Sequence, residues 1–126
     1  MSEETFELWK PTEGHFKRPE ILEVNWSMQD GLRIGVAEGS SDSIRAWISF
    51  APDRAFQCID EGCRLRSIPI EAGLIWRVHN SEYIAAFKRS AAGTMDSFPL
   101  THWLVVSGNQ CVDVLSESEP TLRLTT

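Results

Sequence analysis

An α+β fold built mainly of antiparallel strands follows from three features of this 126-residue sequence. Short apolar runs alternate with polar residues at a period of two. Turns bearing Gly, Pro or Asp separate them. One stretch only, residues 81–92, has helical periodicity. A curved sheet or partly closed β-barrel with that helix as a cover buries the strand faces most simply. A two-sheet sandwich is the alternative. The length suits one domain, with residues 1–20 as an irregular lead-in and residues 21–126 as a single α+β unit.

Pro11, Gly14 and Pro19 punctuate the lead-in, and Phe6, Trp9 and Phe16 are its anchors to the body. "ILEVNWSM" then places Leu22, Val24, Trp26 and Met28 on one face of a strand. "LRIGV" does the same with Leu32, Ile34 and Val36. A two-residue Asp30-Gly31 turn puts the two apolar rows on opposite faces. A three-residue loop, Gln29 to a left-handed Gly31, pairs Met28 with Leu32 and Trp26 with Ile34 and keeps both rows in the core.

"IRAWISF" is a third strand, with Ile44, Ala46, Ile48 and Phe50 inward. "APDR" interrupts it, "AFQCID" is a short fourth strand, and "CRLRSI" a candidate fifth. Residues 69–80 read either as a short strand or as an approach to the helix. Asn80 or Ser81 caps the helix, and Glu82, Lys88 and Arg89 suit its dipole. Gly93 ends it, and Tyr83, Ile84, Phe87 and Ala91 form its apolar stripe. "THWLVVSGNQCVDVLS" is a hairpin with a type II′ Gly108-Asn109 turn. "TLRLT" is a closing strand.

The hairpin holds the most chemical residue set. In this register His102, Leu104, Val106, Cys111, Asp113 and Leu115 share one face, and Trp103, Val105, Val112 and Val114 face the core. His102 and Asp113 are diagonal neighbours, roughly 7–8 Å apart at Cβ and within side-chain reach. Cys111 stands about 13 Å from His102 along the strand, too far for a Cys–His dyad. The plainer reading is a His satisfied by an Asp on a partly exposed face.

Cys58 and Cys63 flank a turn, but no second ligand pair stands at zinc spacing. Arg64 and Arg66 make Cys63 a modest candidate for a lowered thiol pKa. Asp60 and Glu61 read as a surface turn. Arg45, Trp47 and Ser49 share the polar side of the third strand, where Arg and Trp serve as surface decoration or as a contact face. Nucleotide-binding, hydrolase-elbow, zincin and EF-hand motifs do not occur.

The formal net charge is −6, without a basic stripe. That disfavours nucleic acid and anionic membranes as partners, because both demand cations. The sequence has no apolar run long enough for a transmembrane helix and no signal-peptide pattern at its start. Three cysteines imply no disulfide framework. The cytoplasm is the expected location.

A further pattern runs through Phe50, Arg54, Phe56, Glu61 and Gly62, then Ser81, Tyr83 and Phe87. It continues through His102, Trp103, Val112, Asp113, Val114, Leu115, Ser116 and Pro120. On these residues, positions 44–120 resemble a loose set of small bacterial proteins of unknown activity. The resemblance implies an immunity-like or accessory protein and carries no catalytic signature.

The leading expectation is therefore a non-catalytic protein-binding module, immunity-like or regulatory, without a cofactor or metal. An acidic surface steers it towards a basic partner protein. The expected contact surface is Arg45, Trp47 and Ser49, or the turn at Asp60 and Glu61. One alternative is a small-ligand pocket or modest enzyme on which His102, Asp113 and Arg45 converge. Another is a homodimeric structural protein. Charge and pattern are equally consistent with a monomer or a homodimer.

Overall fold

The structure is a computed structural model that describes residues 4–60, 74–94, 97–108 and 110–125, without the side chains of Ile59 and Asp60. Its strands are β1 (Thr5–Leu8), β2 (Pro19–Ser27), β3 (Gly31–Glu38), β4 (Ala46–Phe50) and β5 (Asp53–Asp60). After these come β6 (Ile75–His79), helix α1 (Glu82–Ser90), β7 (Thr101–Val106), β8 (Gln110–Ser116) and β9 (Thr121–Leu124). They form two antiparallel sheets. Sheet A has five strands in the order β1-β6-β7-β8-β5, and sheet B has four in the order β2-β3-β4-β9.

The two sheets lie face to face. Leu32, Ile34, Val36, Ile48 and Phe50 of sheet B meet Ile75, Trp103, Val105, Val112 and Val114 of sheet A in one buried cluster. Burial of each such side chain contributes about 1.5–3 kcal/mol. The sheets do not close into the expected barrel, and the sandwich is the arrangement found. Each sheet hides its apolar face against the other, so no ladder has to join them.

The hairpin of β2 and β3 keeps the expected side-chain parity but not the expected partners. Trp26 faces Leu32 and Val24 faces Ile34, a shift of two residues from the pairing read in the sequence. An even shift leaves every side chain on its own face, so the apolar pattern does not distinguish the two registers. Gly31 is left-handed as expected, with φ 73. A Cβ there would also stand 2.6 Å from the Phe50 carbonyl oxygen.

A bulge between Ile21 and Glu23 changes which residue faces inward. Ile21 is buried, whereas Leu22 is 44% exposed. Trp26 and Met28 are also exposed, so of the expected apolar row only Val24 packs on the core.

The lead-in is more ordered than its Pro and Gly content suggests. Thr5–Leu8 forms the edge strand of sheet A, paired with β6. Trp9 and Phe16 pack against the main core, and Phe6 against a second cluster on the other face of sheet A. Strand β5 starts two residues before the expected "AFQCID", with a register shift between Asp53 and Ala55. Residues 75–79 are a strand, which resolves the ambiguous stretch before the helix. The candidate strand "CRLRSI" lies outside the described residues.

The hairpin of β7 and β8 has the expected register, with Leu104 opposite Asp113 and His102 opposite Leu115. Its turn differs. Gly108 does not take the positive φ of a type II′ turn. Instead its N–H donates to the Pro19 carbonyl at 3.0 Å, and a Cβ there would sit 2.8 Å from Glu20 Oε1. The hairpin tip therefore abuts the start of β2, and a larger residue at 108 would displace the Glu20 carboxylate. Among the described residues, no helix is long and apolar enough to cross a membrane.

Candidate functional site

A short chain of polar contacts ties the start of α1 to sheet A. Strand β6 ends at His79, and Asn80 turns the chain with a left-handed φ of 57. Ser81 then caps the helix, its Oγ accepting the Ile84 N–H at 3.0 Å. The same Oγ lies 2.7 Å from His102 Nδ1. On its other side, His102 Nε2 is 2.6 Å from Asp113 Oδ1. With Nε2 carrying the proton to Asp113, Nδ1 accepts from the Ser81 hydroxyl. Gln57 Nε2 donates to Asp113 Oδ2 at 3.2 Å. A hydroxyl, an imidazole and a carboxylate thus stand in series, drawn from three separate parts of the chain.

The inner two members are almost fully enclosed. His102 is 2% exposed and Asp113 1%, so the partly exposed face expected for them is not what the fold provides. The Tyr83 ring meets His102 edge-on, with centroids 5.5 Å apart. That ring belongs to the apolar stripe of α1, which lies over β7 on the side away from sheet B. Burial, and secondarily the Asp113 charge, push the Tyr83 hydroxyl up to about pKa 12, so it stays neutral. Ser81 itself is half-buried. Beside it, the Glu82 N–H at the first turn of α1 is taken by Glu4 Oε2 at 2.9 Å.

The other sequence candidates lie elsewhere. Trp47 and Ser49 alternate with the inward residues of β4, opposite Gly35 and Arg33. The Arg33 guanidinium lies 5.1 Å from the centre of the Trp47 ring, and Arg45 packs over Phe16 at 5.6 Å. Gly35 is small because Trp47 and Ile44 cover it: a Cβ would stand 2.7 Å from Ile44 Cδ1. Arg45 therefore does not converge with His102 and Asp113, which belong to sheet A.

Asp60 ends β5, and Glu61 and Cys63 lie outside the described residues. Cys58 is exposed, and desolvation raises its thiol pKa, while Cys111 is buried. Among the described residues, no three His, Cys, Asp or Glu side chains gather as a metal site.

A second distinctive region is β2, at one end of the strand order of sheet B. Strand β2 pairs only with β3 among the described strands. Leu22, Trp26 and Met28, on β2 and the turn after it, are 44%, 51% and 91% exposed. They are three of the four exposed large apolar residues in the described chain, the other being Leu124. Glu20 and Glu23 lie on the same strand. At its start is a hollow of about 390 Å³ lined by Arg18, Glu20, Leu22, Gly39, Ser40 and Ser41.

Sequence reasoning paired His102 with Asp113 but missed Ser81, Gln57 and Tyr83 as their partners. Ser81 was legible as a helix cap, and nothing in its spacing from His102 signals the contact. Comparison with known protein families, with characterised proteins and with solved structures finds no match.

Proposed function

We propose that this protein is a binding module that neutralises or regulates a basic protein partner by taking an extended segment of it onto the edge of β2. The exposed apolar cluster of Leu22 and Trp26 on β2 and Met28 just after it, on a strand with one ladder among the described strands, carries this reading. Solvent-exposed edges are normally blunted by charge or bulges, and exposed apolar side chains on them mark interaction sites. Here the bulge at Leu22 and the carboxylates of Glu20 and Glu23 discourage pairing with a second copy, which brings like charges together. A segment carrying Lys or Arg meets no such repulsion.

The pleat defines the segment further. Glu23 and Asn25 face away from the core, while Trp26 is on the core-facing side opposite Leu32. An added strand that alternates basic and apolar residues places its cations by Glu23 and its apolar side chains by Trp26. The net charge of −6 adds long-range attraction for such a partner.

Two model peptides test this, one alternating Lys with Val and one alternating Glu with Val. The Lys peptide is expected to bind, to shift the backbone amide resonances of residues 22–27, and to weaken as salt is raised. Trp26→Ser is expected to remove the binding and Glu23→Lys to weaken it. Equal binding of both peptides, or shifts confined to other strands, would overturn the reading.

A further inference from the structure

The buried pair below α1 does more than a helix cap requires. A Ser cap is complete once its oxygen accepts an amide from the first turn, as Ser81 does from Ile84. His102 and Asp113 add nothing to that bond. A buried ionisable pair also confers little stability over apolar side chains of the same volume. What the pair does add is a base within 2.7 Å of a hydroxyl and a carboxylate 2.6 Å from the base. Those are the contacts that activate a nucleophilic oxygen.

The backbone adds a second, independent feature. Ser81 sits where a strand turns sharply into a helix, and the N–H of the next residue, Glu82, points out of the helix end. In serine hydrolases built on such a turn, that N–H stabilises the developing oxyanion. Here it already holds a negatively charged oxygen, from the Glu4 carboxylate. The position beside Ser81 therefore accepts an anionic oxygen in this protein.

We propose that Ser81 is a nucleophile for acyl transfer from small carboxylic esters, with His102 as its base, Asp113 orienting His102, and Glu4 occupying the oxyanion position until substrate displaces it. Ser81 Oγ attacks the acyl carbon while its proton passes to His102 Nδ1. The oxyanion takes the Glu82 N–H that Glu4 vacates. Collapse breaks the bond to the alcohol oxygen, which receives the proton from Nδ1. Water then attacks the acyl-Ser81 ester, giving its proton to His102, and the carboxylic acid leaves with Ser81 restored. No redox partner is needed. The site belongs to sheet A, so it stands or falls independently of binding at β2.

The test uses the full chain and a fluorophosphonate, which phosphonylates activated serines, with p-nitrophenyl acetate as the ester. We expect one adduct, on Ser81, formed faster in Glu4→Ala than in the wild type. His102→Gln should slow it about 10²–10⁴-fold, the usual worth of a general base. Ser81→Asn retains a good capping side chain, so it should fold and give no adduct. The proposal is overturned by the absence of an adduct in both wild type and Glu4→Ala, by an adduct that survives Ser81→Asn, or by labelling at unchanged rate in His102→Gln.

Discussion

The space beneath α1 and the edge of β2 invert the usual distribution of polarity in opposite ways. Under α1 an imidazole and a carboxylate are enclosed where apolar side chains belong. On β2 and the turn after it, a Trp, a Leu and a Met stand exposed where a soluble surface is usually polar. The first costs desolvation and is tolerable only because each group has a partner: Ser81, Asp113 and Gln57 satisfy the lone pairs and protons. The second costs little in the folded chain itself, since an exposed side chain leaves nothing unsatisfied. The difference teaches that the two regions answer to different measurements. Stability reports on the buried pair, and association reports on the exposed row.

The sharpest way to break the contrast is Asp113→Ala. It leaves the His102 Nε2–H and the Gln57 amide without their acceptor in an enclosed site, and we expect about 3 kcal/mol lost in urea denaturation. Next, Trp26→Ser should reduce affinity for the basic peptide by about 2 kcal/mol or more, the worth of an aromatic anchor. Its effect on unfolding should stay within about 0.5 kcal/mol, as for other surface changes. A comparable loss of stability would mean that Trp26 belongs to the core after all. Ser81→Ala should cost about 1 kcal/mol through the lost cap, and Ser81→Asn only a few tenths.

The smallest effect concerns alkaline pH. Burial, with the Asp113 charge, pushes the folded Tyr83 hydroxyl up to about 12, above the ordinary tyrosine value of 10.0. The unfolded chain therefore releases this proton first, and stability falls as pH rises from 10 towards 12. Urea midpoints across that window should decline less steeply in Tyr83→Phe.

Much of the β structure was legible because alternation reports a half-buried strand directly. Ala46, Ile48 and Phe50 are all buried, as their spacing implies. The parity of the β7–β8 hairpin placed His102 near Asp113 for the same reason. Alternation does not say which strands become neighbours, and so it ranked the barrel above the sandwich. It also says nothing of a bulge: "ILEVNW" alternates without interruption, yet an extra residue at Leu22 exchanges the inward roles of Leu22 and Ile21. Ser81 joined His102 only through tertiary packing of α1 on β7. Short Pro- and Gly-bearing segments hide strands as well. Thr5–Leu8 pairs with β6 despite the punctuation that follows it.

That last pairing bears on how the chain is made. The hairpins β2–β3 and β3–β4 join neighbours in sequence, so most of sheet B can assemble while later segments are still being synthesised. Strand β1 emerges earlier than any of these, yet its ladder partner, β6, arrives only after all of β1 to β5. A nascent chain thus carries Phe6 and Leu8 without their ladder partners until β6 is made. The ladders β1–β6, β4–β9 and β5–β8 all wait for distant partners, and that delay sets how long apolar strands stay open to aggregation.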